Sequence, residues 1–150
     1  MSVFSFLDQI TEIKRNESLA AVYTLTGKEE FLEDHFESFP VMPGVLLLES
    51  LKQAALSLLV LSGDFEKHFY RLTEARDVRF GQFVRPPSRL AIEVKLLRKE
   101  GMANHFEGRI DLAGARALTA SLVLEPVHWT SREKIEYFER LRGREQGYLE

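Results

Sequence analysis

Pro43-Gly44-Val45-Leu46-Leu47-Leu48-Glu49-Ser50-Leu51-Lys52-Gln53-Ala54-Ala55-Leu56-Ser57-Leu58-Leu59-Val60-Leu61-Ser62 is the stretch that decides the fold. It predicts a helix over 43–62. Proline in a first helical turn has no amide hydrogen to waste and a φ already suited to a helix, and Gly63 supplies the stop. About 20 residues make a rod about 30 Å long. Apolar side chains run nearly all round it, so the rest of the chain must enclose it. A membrane span needs about 20 predominantly apolar residues with few or no charges. Glu49, Lys52 and Gln53 interrupt this run, so a buried helix is expected and no membrane.

Upstream lies Asp34-His35-Phe36-Glu37-Ser38-Phe39-Pro40-Val41-Met42. Glutamate is almost never fully buried unpaired, so Glu49 on an apolar helix needs a partner or a job. His35 and Glu49 thus flank the positive end of a helix, an arrangement suited to proton transfer beside a carbonyl. Each has a plainer reading: His35 as a loop imidazole, Glu49 as a solvated residue favouring the helix dipole, Gly44 as a turn residue. Gln53 lies one turn after Glu49 on the same face, as a hydrogen-bond partner or as a polar spot at a dimer seam. Asp34 reads as a cap or loop residue, and Phe36 as core or tunnel lining.

Downstream, the pattern changes from helical to alternating. Leu90, Ile92, Val94 and Leu96 alternate with Ala91, Glu93 and Lys95; Phe106, Gly108, Ile110 and Leu112 with Glu107, Arg109 and Asp111; Leu118, Ala120, Leu122 and Leu124 with Thr119 and Ser121. Period-2 alternation with one polar face predicts an antiparallel sheet with one face wet. Ala113-Gly114 reads as a hairpin turn, and Pro86-Pro87-Ser88 as a break. Leu19–Leu25 is a further strand, 65–80 one long or bent strand, and Glu29–Glu33 a helical turn. Val3–Ile10 fits a short helix or a lead-in strand. Ile135, Phe138 and Leu141 sit at helical spacing, which predicts an appended C-terminal helix over 131–146. The sum is α+β: one long helix wrapped by an antiparallel sheet that must curl to cover it.

The chain has 150 residues, 45% of them hydrophobic and 29% charged, which fits a single domain over 1–150. A net charge of −3 argues against global attraction to nucleic acid. The chain contains no cysteine, which excludes disulfides and thiolate zinc sites and is compatible with a cytoplasmic location. The first residues carry no basic segment and no long apolar run, so no signal peptide is read. No His/Asp/Glu set has metal spacing and no glycine-rich phosphate loop is present, so neither a metal nor a cofactor is expected. His105 falls in phase with Glu107 and Arg109 on a wet face; His68 and His128 read as structural or exposed. Arg71, Arg76, Arg79, Arg85 and Arg89 form a local basic cluster, fit either for docking an acidic partner or for a solvated strand face.

His35-Phe36, Pro40, Pro43-Gly44-Val45-Leu46, Glu49 and Gln53 together resemble the motif of the FabZ-type 3-hydroxyacyl-[acyl-carrier-protein] dehydratases, which have the hotdog fold. Arg79-Phe80 and Pro86 sit where that family has an Arg-Phe strand end and a Pro-rich turn. The chain departs from the pattern at Glu37, where the family has proline, and at Pro87-Ser88, where it has Gly-Asp. The resemblance covers roughly 4–125 and implies dehydration of a 3-hydroxyacyl thioester on acyl-carrier protein, in fatty-acid or related lipid or polyketide biosynthesis. It implies His35 as base, the Gly44 and Val45 amides as oxyanion donors, Glu49 as acid, and Gln53 and Phe36 beside the substrate. It also implies a homodimer in which His35 faces Glu49 of the other chain, with a hexamer left open, and carrier-protein docking on the arginines. The alternatives are a hotdog thioesterase and a non-catalytic acyl or carrier-protein binder.

Overall fold

Gly44–Leu61 is helical (α1), with Pro43 as its N-cap rather than in its first turn: the φ of −57° suits a helix, the ψ of 139° does not. The helix stops where Gly63 turns to a φ of +95°. There the Ser62 amide donates to the Leu58 carbonyl (3.0 Å) and the Gly63 amide to that of Val60 (3.1 Å). The computed structural model describes residues 5–32, 40–63 and 69–127. The C-terminal helix expected over 131–146 lies outside them, as do His35, Phe36, Glu37, His68 and His128.

The described residues form six strands, three of which (β4, β5 and β6) carry the expected alternation: β1 Gln9–Lys14, β2 Ser18–Leu25, β3 Phe69–Phe80, β4 Ser88–Glu100, β5 Ala103–Leu112 and β6 Ala115–Val127. They form one antiparallel sheet in the order β1-β2-β4-β5-β6-β3. The expected turn at Glu29–Glu33 is a short 3-10 helix over Glu30–Leu32. Residues 5–7 are not helical; they lead into β1, and the Asp8 amide donates to the Val22 carbonyl (2.8 Å). Between β5 and β6, Ala113 and Gly114 both take positive φ (52° and 80°), the signature of a tight hairpin turn whose twist matches its strands. β3 is bent, as expected: its pairing with β6 shifts register after Leu72 and again after Arg76, and Asp77 takes a φ of 51°.

One face of the sheet carries Leu19, Ala21, Leu90, Ile92, Val94, Phe106, Ile110, Leu118, Leu122 and Leu124, all buried. Leu47, Leu51, Ala54, Ala55, Leu58 and Leu59 of α1 pack into the same core. Helix and sheet meet closely at Gly108, where an added Cβ would lie 3.0 Å from Leu51 Cδ2. The other face carries charge, including the cross-strand pair Arg109 Nη2–Glu93 Oε2 at 3.3 Å. His105 lies on that face, its Nε2 3.6 Å from Glu100 Oε2. The sheet covers one side of α1. The opposite flank, with Leu46, Glu49, Lys52, Gln53, Leu56 and Val60, stays half-buried in the single chain.

Candidate active site

The site begins at the N-terminus of α1. Pro43 caps the helix without a side-chain hydrogen bond. Its carbonyl takes the amides of Leu46 (3.0 Å) and Leu47 (3.2 Å). The Gly44 and Val45 amides have no acceptor among the described residues. First-turn amides have no intrahelical partner, and the helix dipole adds positive potential there. The segment before them is pinned by the Met42 amide, which donates to the Val84 carbonyl (2.8 Å).

Beside these amides opens a cavity of about 520 Å³, lined by Met42, Gly44, Leu47, Phe80, Gly81, Gln82, Phe83 and Val84. None of these side chains is charged. Gln82 donates from its side-chain Nε2 to the carbonyls of Ala115 (3.0 Å) and Leu112 (3.3 Å) on either side of the hairpin turn. The Gly81 amide donates to Ala117 (2.9 Å). At Gly81 a Cβ would sit 2.2 Å from the Arg116 carbonyl oxygen, so only glycine lets β6 approach so closely. The Phe80 ring rests against Gly44: a Cβ there would be 2.8 Å from both Cε1 and Cζ. The sequence points to the loops around Phe80 to Pro87 as setting the depth of an acyl tunnel, without singling out a residue; Phe80, Gln82 and Phe83 are the members of that segment whose side chains line the cavity with Val84.

Glu49 does not line this cavity. Five residues past Gly44, it stands about 7.5 Å further along the axis and is turned about 140° around it. Its carboxylate is engaged on both oxygens, by Lys52 Nζ at 3.3 Å and by Gln53 Nε2 at 3.4 Å. Gln53 also accepts the Phe6 amide at 2.7 Å, so the N-terminal segment fixes which way the Gln53 amide points. Phe6 itself is buried edge-on against Tyr23 (centroids 5.7 Å apart) and Phe31 (5.9 Å). The structure therefore joins Gln53 to Glu49, one of the readings that the sequence leaves open for Gln53. It separates both from the cavity at Gly44 within one chain.

The basic cluster is not one patch. Arg71 lies near the start of β3, about 25 Å of extended chain from Arg79. Arg76 is paired with Glu74, its Nη2 2.7 Å from Oε2. Arg79, Arg85 and Arg89 are exposed and share the end of the sheet that the 81–87 loop crosses, next to the cavity. No cluster of three metal-binding side chains occurs among the described residues.

The FabA-like domain model matches residues 1–121. The chain is 36% identical over 123 residues to a 3-hydroxyacyl-[acyl-carrier-protein] dehydratase FabZ of Coxiella burnetii (strain RSA 331 / Henzerling II), covering 80% of this chain and 87% of that protein. The dehydratase heterocomplex ApeI:P from Xenorhabdus doucetiae has a similar fold, with a TM-score of 0.70 at 19% identity, covering 92% of this chain and 91% of that one. A hypothetical thioesterase from Streptococcus pneumoniae TIGR4, solved with coenzyme A, shares the fold at a TM-score of 0.64 and 10% identity, over 82% and 88% of the two chains. The hotdog architecture and the helix-start motif meet in these relatives, and the chain belongs to the FabZ-type dehydratases of the FabA-like family.

Proposed function

We propose that this protein removes water from a 3-hydroxyacyl thioester carried on acyl-carrier protein, giving the trans-2-enoyl thioester in fatty-acid biosynthesis. The observation that carries the reading is the pair of first-turn amides at Gly44 and Val45, without an acceptor among the described residues, at the edge of an uncharged cavity that Gly44 lines. A thioester carbonyl accepting from them at about 2.9 Å is polarised as negative charge grows on its oxygen. His35, whose free pKa of about 6.5 lies near working pH, takes the C2 proton. Glu49 gives a proton to the departing C3 hydroxyl, so water leaves and the C2–C3 double bond forms. Gln53 orients Glu49, and Phe36 lies beside the acyl chain.

The angular separation of Glu49 from the Gly44 cavity supports a site assembled from two chains. The half-buried flank of α1 and the open edge of β3 support the same arrangement. Arg79, Arg85 and Arg89 suit docking of an acidic carrier protein at the cavity end of the sheet.

The test is incubation with a 3-hydroxyacyl thioester on acyl-carrier protein. Enoyl product should form, and His35→Ala and Glu49→Gln should each lower the rate by roughly 10²–10⁴-fold. Free thiol in place of enoyl product would identify a thioesterase. Carrier-protein binding without either product would identify a non-catalytic binder.

A further inference from the structure

The contact between Phe80 and Gly44 bears on which acyl chains the cavity accepts. We infer that the Phe80 ring selects against 3-hydroxyacyl thioesters that carry a branch at C2; this rests on the dehydratase reading of the same cavity. A carbonyl oxygen bonded to the Gly44 amide lies within about 2.7–3.2 Å of that nitrogen, and C2 is two bonds from the oxygen. The ring tip stands beside the same residue, 2.8 Å from where a Gly44 Cβ would be. A methyl group on C2 that points toward β3 competes with the ring for that space.

The ring stands on a fixed stalk. Phe80 is the last residue of β3, held in register with Leu118. The next amide, Gly81, is bonded to Ala117 at 2.9 Å, and Arg116 closes on Gly81 too tightly for any side chain. The ring can turn about its own side-chain bonds, but its backbone cannot retreat.

The experiment compares 3-hydroxyhexanoyl with 2-methyl-3-hydroxyhexanoyl (both C2 epimers), each as the N-acetylcysteamine thioester. The 2-methyl substrate keeps one hydrogen on C2, so the chemistry remains open to it. The wild-type protein should favour the unbranched substrate in kcat/KM by roughly tenfold or more, the scale of a methyl-group discrimination. Phe80→Ala should shrink that ratio several-fold, with Phe80→Leu between. Gly44→Ala, which pushes the ring aside, should cost less in the Phe80→Ala background than in the wild type. The same ratio in wild type and Phe80→Ala would overturn the assignment, as would additive effects of the two substitutions in variants whose unfolding midpoints show them folded. If the wild type dehydrates neither substrate, on this carrier or on acyl-carrier protein, the dehydratase reading itself fails and takes the assignment with it.

Discussion

Gln53 ties the N-terminal segment to the carboxylate of Glu49, accepting from Phe6 and donating to Glu49 with one amide group. Gln53→Leu leaves the buried Phe6 amide without its acceptor. A cost of about 1–3 kcal/mol is expected in urea unfolding, together with a fall in kcat larger than the rise in KM. Tyr23 lies beneath the same segment. Burial pushes its hydroxyl up from 10.0 to about 12, and the Glu29 and Asp8 carboxylates add to the shift. The folded state therefore favours neutral Tyr23. That stability is fully present below pH 10 and is lost as pH rises through about 12. Tyrosinate absorbance should lag behind free tyrosine until the protein unfolds in alkali. Glu29 runs the other way: burial raises its pKa, but hydrogen bonds from Gly27 and Thr26 outweigh that and hold it below 4.5. Its contribution is present above that value and is lost as pH falls through its lowered pKa. The identities of these residues were legible in sequence, and so, as one of two readings, was the pairing of Gln53 with Glu49, one helical turn apart. The anchor at Phe6 was not, because contacts between residues so distant along the chain follow no local spacing rule.

At the scale of elements, Leu51 and Gly108 form the contact that sets how deep α1 lies on the sheet. Leu51→Ala empties a fully buried position and should cost about 2–5 kcal/mol. Gly108→Val overfills the same place and should cost about 1–3 kcal/mol. Thermal unfolding of both variants checks the pair. Strand faces were readable because alternation fixes which side chains point inward: Leu90, Ile92 and Val94 are all buried, as their spacing requires. The hairpin was readable because Ala113-Gly114 separates two such runs. The bulges of β3 were not, since β3 has no steady alternation and its register is imposed by β6. The spread of the arginines follows from the same cause. Five basic residues close in sequence are drawn apart when the first of them fall on an extended strand and the last beyond a crossing loop.

For the whole molecule, the proposed division of chemistry between two chains has a direct test. Mixed and reassociated His35→Ala and Glu49→Gln proteins should recover roughly a quarter of wild-type activity, because half of the reassorted two-fold dimers hold one intact site. Sites complete within one chain would recover nothing. The two sheet edges differ in a way that bears on assembly. β3 runs for 12 residues, while β1 runs for 6, all exposed, with a register shift after Ile10 and the Glu12–Lys14 ion pair. A bulged, charged, short strand discourages pairing, whereas a long outer strand invites it. With one receptive margin and one blunted margin, strand addition to this sheet would end after a single partner. The polymerisation open to a sheet with two receptive margins would thereby be forestalled by the unequal lengths and charges of its outermost strands.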